Sequence, residues 1–325
     1  MHRRTVLAGL GLAGLATMAR GWAESNAPTH GTVVFGAAKG AIGSTLAELT
    51  LAQLRRDYQL DYSLVINDAR NSRAAVESVQ HAKPDGATLL QAQSSSIVLF
   101  PSTYKALGYD PVKDFAPLTI LGTYGYSLVL GAAVPANVTT VQGYLDWVER
   151  NPDQRDVGFS LYGSQAHLLS VMLARESGTA VRPQGYGSAN SIFNDLASGA
   201  IGAAFTVNGN VPLLARAGVR AVAITDPHRL GPRPDVRTFA ESGLAALNLT
   251  GWYGWFAPSS TPTVVLNDQA IKLGQMTVGD EYTAQLNSLL LERNTASPAE
   301  IAVLMQREIA QYAELTKSYR LSVST

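Results

Sequence analysis

From Thr32 onward the chain alternates short apolar runs with longer stretches of helical periodicity, and this alternation restricts it to the α/β class. VVF at Val33 to Phe35, YSLVIN at Tyr62 to Asn67 and ATLLQAQ at Ala87 to Gln93 read as buried strands, with a helix over Ser72 to Ala82. Strands joined through a helix pair in parallel, since a tight turn suffices for an antiparallel neighbour. A second set opens at Tyr126 to Ala133. It continues with a helix over Thr140 to Asn151, the strand VGFSLY, a helix over Gln165 to Ser177, a strand near Val181, a helix over Ser191 to Ala197, and the strands AIGAAFTV and RAVAIT. The run GWYGWFAPSSTP, Gly251 to Pro262, is one more strand closed by a proline turn, and two helical stretches follow. Two α/β units without a long linker place a ligand between them, beyond the carboxyl ends of the strands. Function is therefore sought in the loops that follow strands.

Composition agrees with a large packed core and narrows the setting. Of 325 residues, 46% are hydrophobic and 15% charged, enough for two domains. The opening residues, MHRRTVLAGLGLAGLATMARGWA, join Arg3 and Arg4 to a short apolar run and end on small residues around Trp22, the form of a cleavable export signal of twin-arginine type over residues 1–23. The run is too short to span a bilayer. Losing Arg3, Arg4 and Arg20 leaves 22 basic against 25 acidic residues, which speaks against nucleic acid as a partner. With no cysteine, the fold rests on its core and tolerates an oxidising compartment. His2, His30, His81, His167 and His228 show no paired spacing, so no metal site is expected.

The stretch VVFGAAKGAIGSTLAEL invites an enzymatic reading. A strand, the glycines Gly36, Gly40 and Gly43 and a helix approach the dinucleotide fingerprint of short-chain dehydrogenases, with Asp68 placed for a ribose and Ser96, Tyr109 and Lys113 imitating the catalytic residues. Two features oppose it. Ala41 adds a residue between the last two glycines, and Pro111 between Tyr109 and Lys113 costs ~3 kcal/mol inside a helix, so the pair is not held on one helical face. A hydrolase built on Ser160, His167 and Asp195 is weaker, because GFSLYG is one residue away from a nucleophile elbow.

The segments KPDGATLL and YKALGYDPVKDFAPLTIL carry Pro84-Asp85-Gly86, Thr88-Leu89-Leu90, Tyr109-Asp110-Pro111, Asp114-Phe115 and Pro117. They resemble the Bug family, the solute receptors of tripartite tricarboxylate transporters. The likeness continues through SLYGSQAHLL, Tyr186, Asp195-Leu196 with Gly199, LLARAGVRAVAIT, FAESGL and WYGWFAPSSTP, over roughly residues 31–320. The resemblance implies an α/β fold of the type II periplasmic binding protein class, with two domains around a central cleft and two crossovers. Residues 24–123 and 251–325 would form domain 1 and residues 124–250 domain 2. It further implies a non-enzymatic periplasmic receptor, monomeric and without cofactor. Its partners would be a small organic carboxylate and the membrane components of a tripartite tricarboxylate-type transporter. Two alternatives stand beside it: an exported NAD(P)-dependent reductase, and a ligand sensor acting through a two-component system.

The binding residues expected from the loops after strands are Gly36, Ala37, Lys39, Gly40 and Ser44 in the first, Ser94 and Ser95 after ATLLQAQ, and Ser160, Gly163, Ser164, Gln165 and His167 in the third. Tyr186, Ser188 and Asn208 complete the set. Small residues at helix starts expose backbone N–H groups to an anion, while Tyr124, Tyr126, Tyr162, Tyr186 and Trp252 offer flat walls. The chain departs from the resembled family in AAKGAIGS, where Ser44 replaces an acid, and in NDARNSR, Asn67 to Arg73. With Lys39, Arg70 and Arg73 nearby, these departures predict a more anionic ligand or a displaced carboxylate.

Overall fold

The computed structural model describes residues 27–37, 40–215 and 218–323; the proposed export signal lies outside them. Apolar alternation produces β1 (His30–Phe35), β2 (Asp61–Ile66) and β3 (Thr88–Gln93), and these pair in parallel in the order β2-β1-β3. The intervening helices are α1 (Ile42–Tyr58) and α2 (Arg73–Gln80). Helix α1 buries Leu46, Ala47, Thr50, Leu51 and Leu54, one face at three- and four-residue spacing. Arg55 and Arg56 occupy its last turn, where the helix dipole favours cations, and it stops at Gln59 in a left-handed conformation. A wide π turn over Ser95–Leu99 and the short α3 (Phe100–Thr103) follow β3.

Strand β4 (Phe115–Tyr124) is not among the strands read from the sequence; Pro117 stands inside its apolar run. It lies at the edge of the sheet, where a proline is tolerated; its sheet partner is β10 (Gly251–Pro258), and Thr123 at its end also bridges to Glu292. Strand β10 inserts antiparallel between β3 and β4 and completes a five-stranded mixed sheet.

The second sheet repeats this plan. Strands β5 (Tyr126–Leu130), β6 (Asp156–Ser160), β7 (Arg182–Tyr186), β8 (Ala203–Val207) and β9 (Arg220–Ile224) take the order β7-β6-β8-β5-β9. Here β5 is the antiparallel insert, between β8 and β9. Helices α4 (Val141–Arg150), α5 (Gln165–Ser177), α6 (Ala189–Ser198) and α7 (Val211–Leu214) connect the strands. The final residues form α8 (Thr263–Thr277), α9 (Asp280–Ser288) and α10 (Pro298–Tyr319), three helices where two stretches were expected; α10 packs against β4 and reaches α5.

The chain passes between the sheets twice, at Gly125 and through residues 225–250. The Thr225 side chain ties the two passages together: its hydroxyl accepts from Tyr126 N–H at 2.8 Å and donates to Leu249 C=O at 2.6 Å. Asp226 packs against Gly125 so closely that a Cβ there would come within 1.9 Å of its Oδ2. One continuous apolar cluster runs through both units, from Val33 and Leu90 to Phe159 and Phe205. No helix among the described residues is long and apolar enough to cross a membrane.

Candidate functional site

A cavity of about 410 Å³ opens between the two sheets at the carboxyl ends of β1, β3, β6, β7 and β8. The first unit contributes Gly36, Ala37 and Gly40 to Ile42 from the β1–α1 loop, Asp68, Asn71 and Ser72 from the β2–α2 loop, and Gln93 and Tyr253. From the second come Ser160 to Tyr162, Ser164, Tyr186 to Asn190 and Phe193, with Tyr126, Phe205, Thr206, Asn210 and Leu213 closing the floor and rim.

Three helices begin on this wall. Each directs unpaired N–H groups and the positive end of its dipole toward the space. Helix α5 is capped by Ser164, whose hydroxyl accepts from His167 N–H at 3.3 Å, and α6 by Ser188, which accepts from Ser191 N–H at 3.2 Å. Helix α1 has no side-chain cap, since Ala41 stands at that position. The site is thus furnished with backbone donors, and among the described residues Asp68 is the only formally charged side chain on its wall.

Of the sequence-derived binding residues, Gly36, Ala37, Gly40, Ser160, Ser164, Tyr186 and Ser188 lie on the cavity wall. Lys39 is outside the described residues. The others are placed elsewhere, each for a stated reason. Ser44 is buried and returns its hydroxyl to Ala41 C=O at 2.8 Å. Ser94, Ser95 and Gln165 meet one another beneath the cavity: Gln165 Nε2 donates to Ser94 Oγ at 3.0 Å and to the Tyr312 hydroxyl at 3.3 Å, and Ser95 Oγ donates to Gln165 Oε1. Gly163, at φ 76°, faces Thr103 and Tyr104 of the first unit. His167 stacks on Phe159, ring centroids 4.2 Å apart, and burial pushes its pKa down to about 4, so it is a neutral packing group whose Nδ1 accepts from Gly163 N–H at 3.2 Å. Asn208 is buried between Ser127 and Asp226, with hydrogen bonds of 2.7 Å to each.

Of the cations expected to draw in an anion, the two that are described are engaged elsewhere. Arg70 pairs with Glu77, and Arg73 lies over the Tyr104 ring at 4.3 Å while donating to Arg70 C=O at 3.1 Å; neither lines the cavity. Sequence reasoning passed over Asn71, Phe193, Asn210 and Tyr253. Asn71 is the most telling: at φ 58° its amide crosses the cleft, donating from Nδ2 to Tyr162 C=O at 2.7 Å and accepting from Tyr162 N–H at Oδ1 at 3.1 Å. The Tyr104 hydroxyl donates to the same carbonyl at 2.9 Å.

The enzymatic arrangements do not assemble. Tyr109 points into the core and donates to Ser96 C=O at 2.6 Å, whereas Lys113 pairs with Asp110 at the surface at 2.9 Å. Asp195 accepts from the Tyr186 hydroxyl at 2.8 Å, and His167 Nδ1 is occupied by Gly163, so Ser160, His167 and Asp195 form no relay. No cluster of metal-ligating side chains occurs among the described residues.

Comparison with known proteins agrees with this architecture. The family model described as tripartite tricarboxylate transporter family receptor matches residues 53–321. The UPF0065 protein of the tcbD-tcbE intergenic region of Pseudomonas sp. strain P51 is 24% identical over 331 aligned positions, covering 99% of this chain and 96% of that protein. Among solved structures, Rpa4515 of R. palustris with adipate superposes with a TM-score of 0.86 at 24% identity, over 91% of this chain and 99% of the other. The periplasmic binding protein BugD superposes with a TM-score of 0.82 at 21% identity, over 90% and 98%. These likenesses establish the type II periplasmic binding protein fold, two α/β domains with mixed sheets. Since the family model covers most of its length, the chain belongs to the tripartite tricarboxylate transporter receptor family, the one its motifs resemble.

Proposed function

We propose that the protein is a periplasmic receptor that closes its two domains on a small organic carboxylate and delivers it to the membrane components of a tripartite tricarboxylate-type transporter. The observation that carries this reading is the cavity between the sheets, onto which α1, α5 and α6 all open by their amino ends. Such ends offer N–H donors and partial positive charge to a carboxylate. The relative solved with adipate supports the ligand class. On this reading, residues 24–123 and 251–325 form one lobe and residues 124–250 the other, Gly125 and residues 225–250 being the hinge. The protein acts as a monomer, performs no covalent chemistry and needs no cofactor, and residues 1–23 direct export to the periplasm.

A thermal-shift and calorimetric screen of carboxylates on the purified mature chain tests the proposal. A ligand at 100 times its Kd adds ~2.7 kcal/mol to the native state, a shift of several degrees. A carboxylate that produces it, with nicotinamide dinucleotides producing none, is the expected result. Stabilisation by a dinucleotide alone would refute the proposal.

A further inference from the structure

The cavity wall is richer in rings than in charge. Tyr126, Tyr162, Tyr186, Phe193, Phe205 and Tyr253 all face it, and the sole formal charge among the described lining residues is the carboxylate of Asp68. Two large hydrophobic lining side chains are left open to solvent, Tyr162 at 45% and Leu213 at 61% exposure. Large apolar surface exposed at the mouth of a cleft is what a bound apolar body would cover.

Charge balance points the same way. The two loops of the first unit that reach the cavity hold Lys39, Asp68 and Arg70 in their sequence. Arg70 is committed to Glu77, and Arg73, at the start of α2, lies over Tyr104. Counting Lys39 in full, it only offsets Asp68. Backbone donors at helix ends can hold one carboxylate without a cation, but a second or third carboxylate would face Asp68 with no excess positive charge to receive it. Burying an uncompensated anion is costly. The polar tips of Gln93, Asn190 and Asn210 are uncharged, suited to hydroxyl or amino substituents on a ring.

We infer that this receptor selects an aromatic monocarboxylate: one carboxylate at the helix ends, a flat ring among the aromatic side chains, and Asp68 acting against polyanions. The inference rests on the carboxylate reading above and deepens it. Calorimetry on the mature chain with benzoate, 4-hydroxybenzoate and phenylacetate, against adipate and citrate, tests it. At least one aryl monocarboxylate is expected to bind tenfold or more tightly than either polyanion. Asp68→Asn, at an exposed position with little risk to folding, should narrow that gap at least threefold by tightening adipate and citrate, and Tyr162→Ala should weaken the aryl ligand at least tenfold. Melting curves of both variants identify any loss that comes from unfolding. A gap below tenfold, a preference for adipate or citrate, or an Asp68→Asn variant with the gap unchanged overturns the inference and leaves the carboxylate receptor standing. Failure of all five compounds to bind counts against that receptor reading itself.

Discussion

The side-chain amide of Asn71 carries the same donor and acceptor pair as a peptide group, and it meets both backbone polar groups of Tyr162 across the cleft. Its backbone is left-handed, a conformation asparagine tolerates better than most residues. In the proposed receptor, whose two domains close on the ligand, these bonds exist only while the lobes are together, so their free energy belongs to closure. With each net hydrogen bond worth about 1 kcal/mol, Asn71→Ala should weaken closure by about 1 to 2 kcal/mol and raise the ligand Kd about tenfold. Calorimetry measures the Kd, and small-angle scattering of the liganded variant should show a larger open fraction. An unchanged Kd would mean that the latch contributes nothing to closure. Ser164 was legible at a helix start, because a small hydroxyl residue just before a helical run has one dominant local role. Asn71 was not, since its partner lies 91 positions away and only the folded loop aims the amide at it.

At the scale of elements, Gly125 is the shorter of the two passages between the sheets and is tightly enclosed. An added Cβ would meet Asp226, which Asn208 holds in place with a 2.7 Å hydrogen bond. Gly125→Ala is expected to destabilise by about 1 to 3 kcal/mol through overpacking. A lower urea midpoint with an unchanged slope would register this, and a wild-type midpoint would show that Asp226 moves aside freely. The strands of the second sheet were legible because apolar runs such as AIGAAFTV have no competing reading. Strand β4 was hidden by Pro117, which an edge strand accepts and an interior strand would not. The expected binding loops contain true wall residues interleaved with buried ones. In the run from Ser164 to Ala166, the first and third face the cavity while Gln165 turns to Ser94 and Tyr312. Which way a side chain leaves a turn depends on the neighbouring unit, and that information is not local.

For the whole molecule, two buried groups give stability opposite dependences on pH. His167, held down to about 4, binds fewer protons folded than unfolded, so it makes stability fall as pH drops from about 6.5 toward 4. Asp226, pushed up to about 6 by burial, binds more protons folded, so it makes stability fall as pH rises from about 4 toward 6. The two nearly offset each other over that window. Melting temperatures of His167→Gln should therefore decline from pH 4 to 6 relative to wild type, and those of Asp226→Asn should rise. Parallel profiles for all three proteins would contradict both assignments. The insertion of β10 between β3 and β4 bears on how the chain is built as it is made. Strand β4 ends at Tyr124 and its sheet partner, β10, begins only at Gly251, with a further bridge from Thr123 to the still later Glu292, whereas every strand of the second sheet lies between Tyr126 and Ile224. A polypeptide emerging amino end first thus completes its second lobe before its first, the reverse of the usual vectorial order. Until Pro258 has been synthesised, the earlier lobe is a three-stranded fragment beside an orphan edge, the stage at which a nascent chain of this design is most open to proteases and to wrong strand pairing.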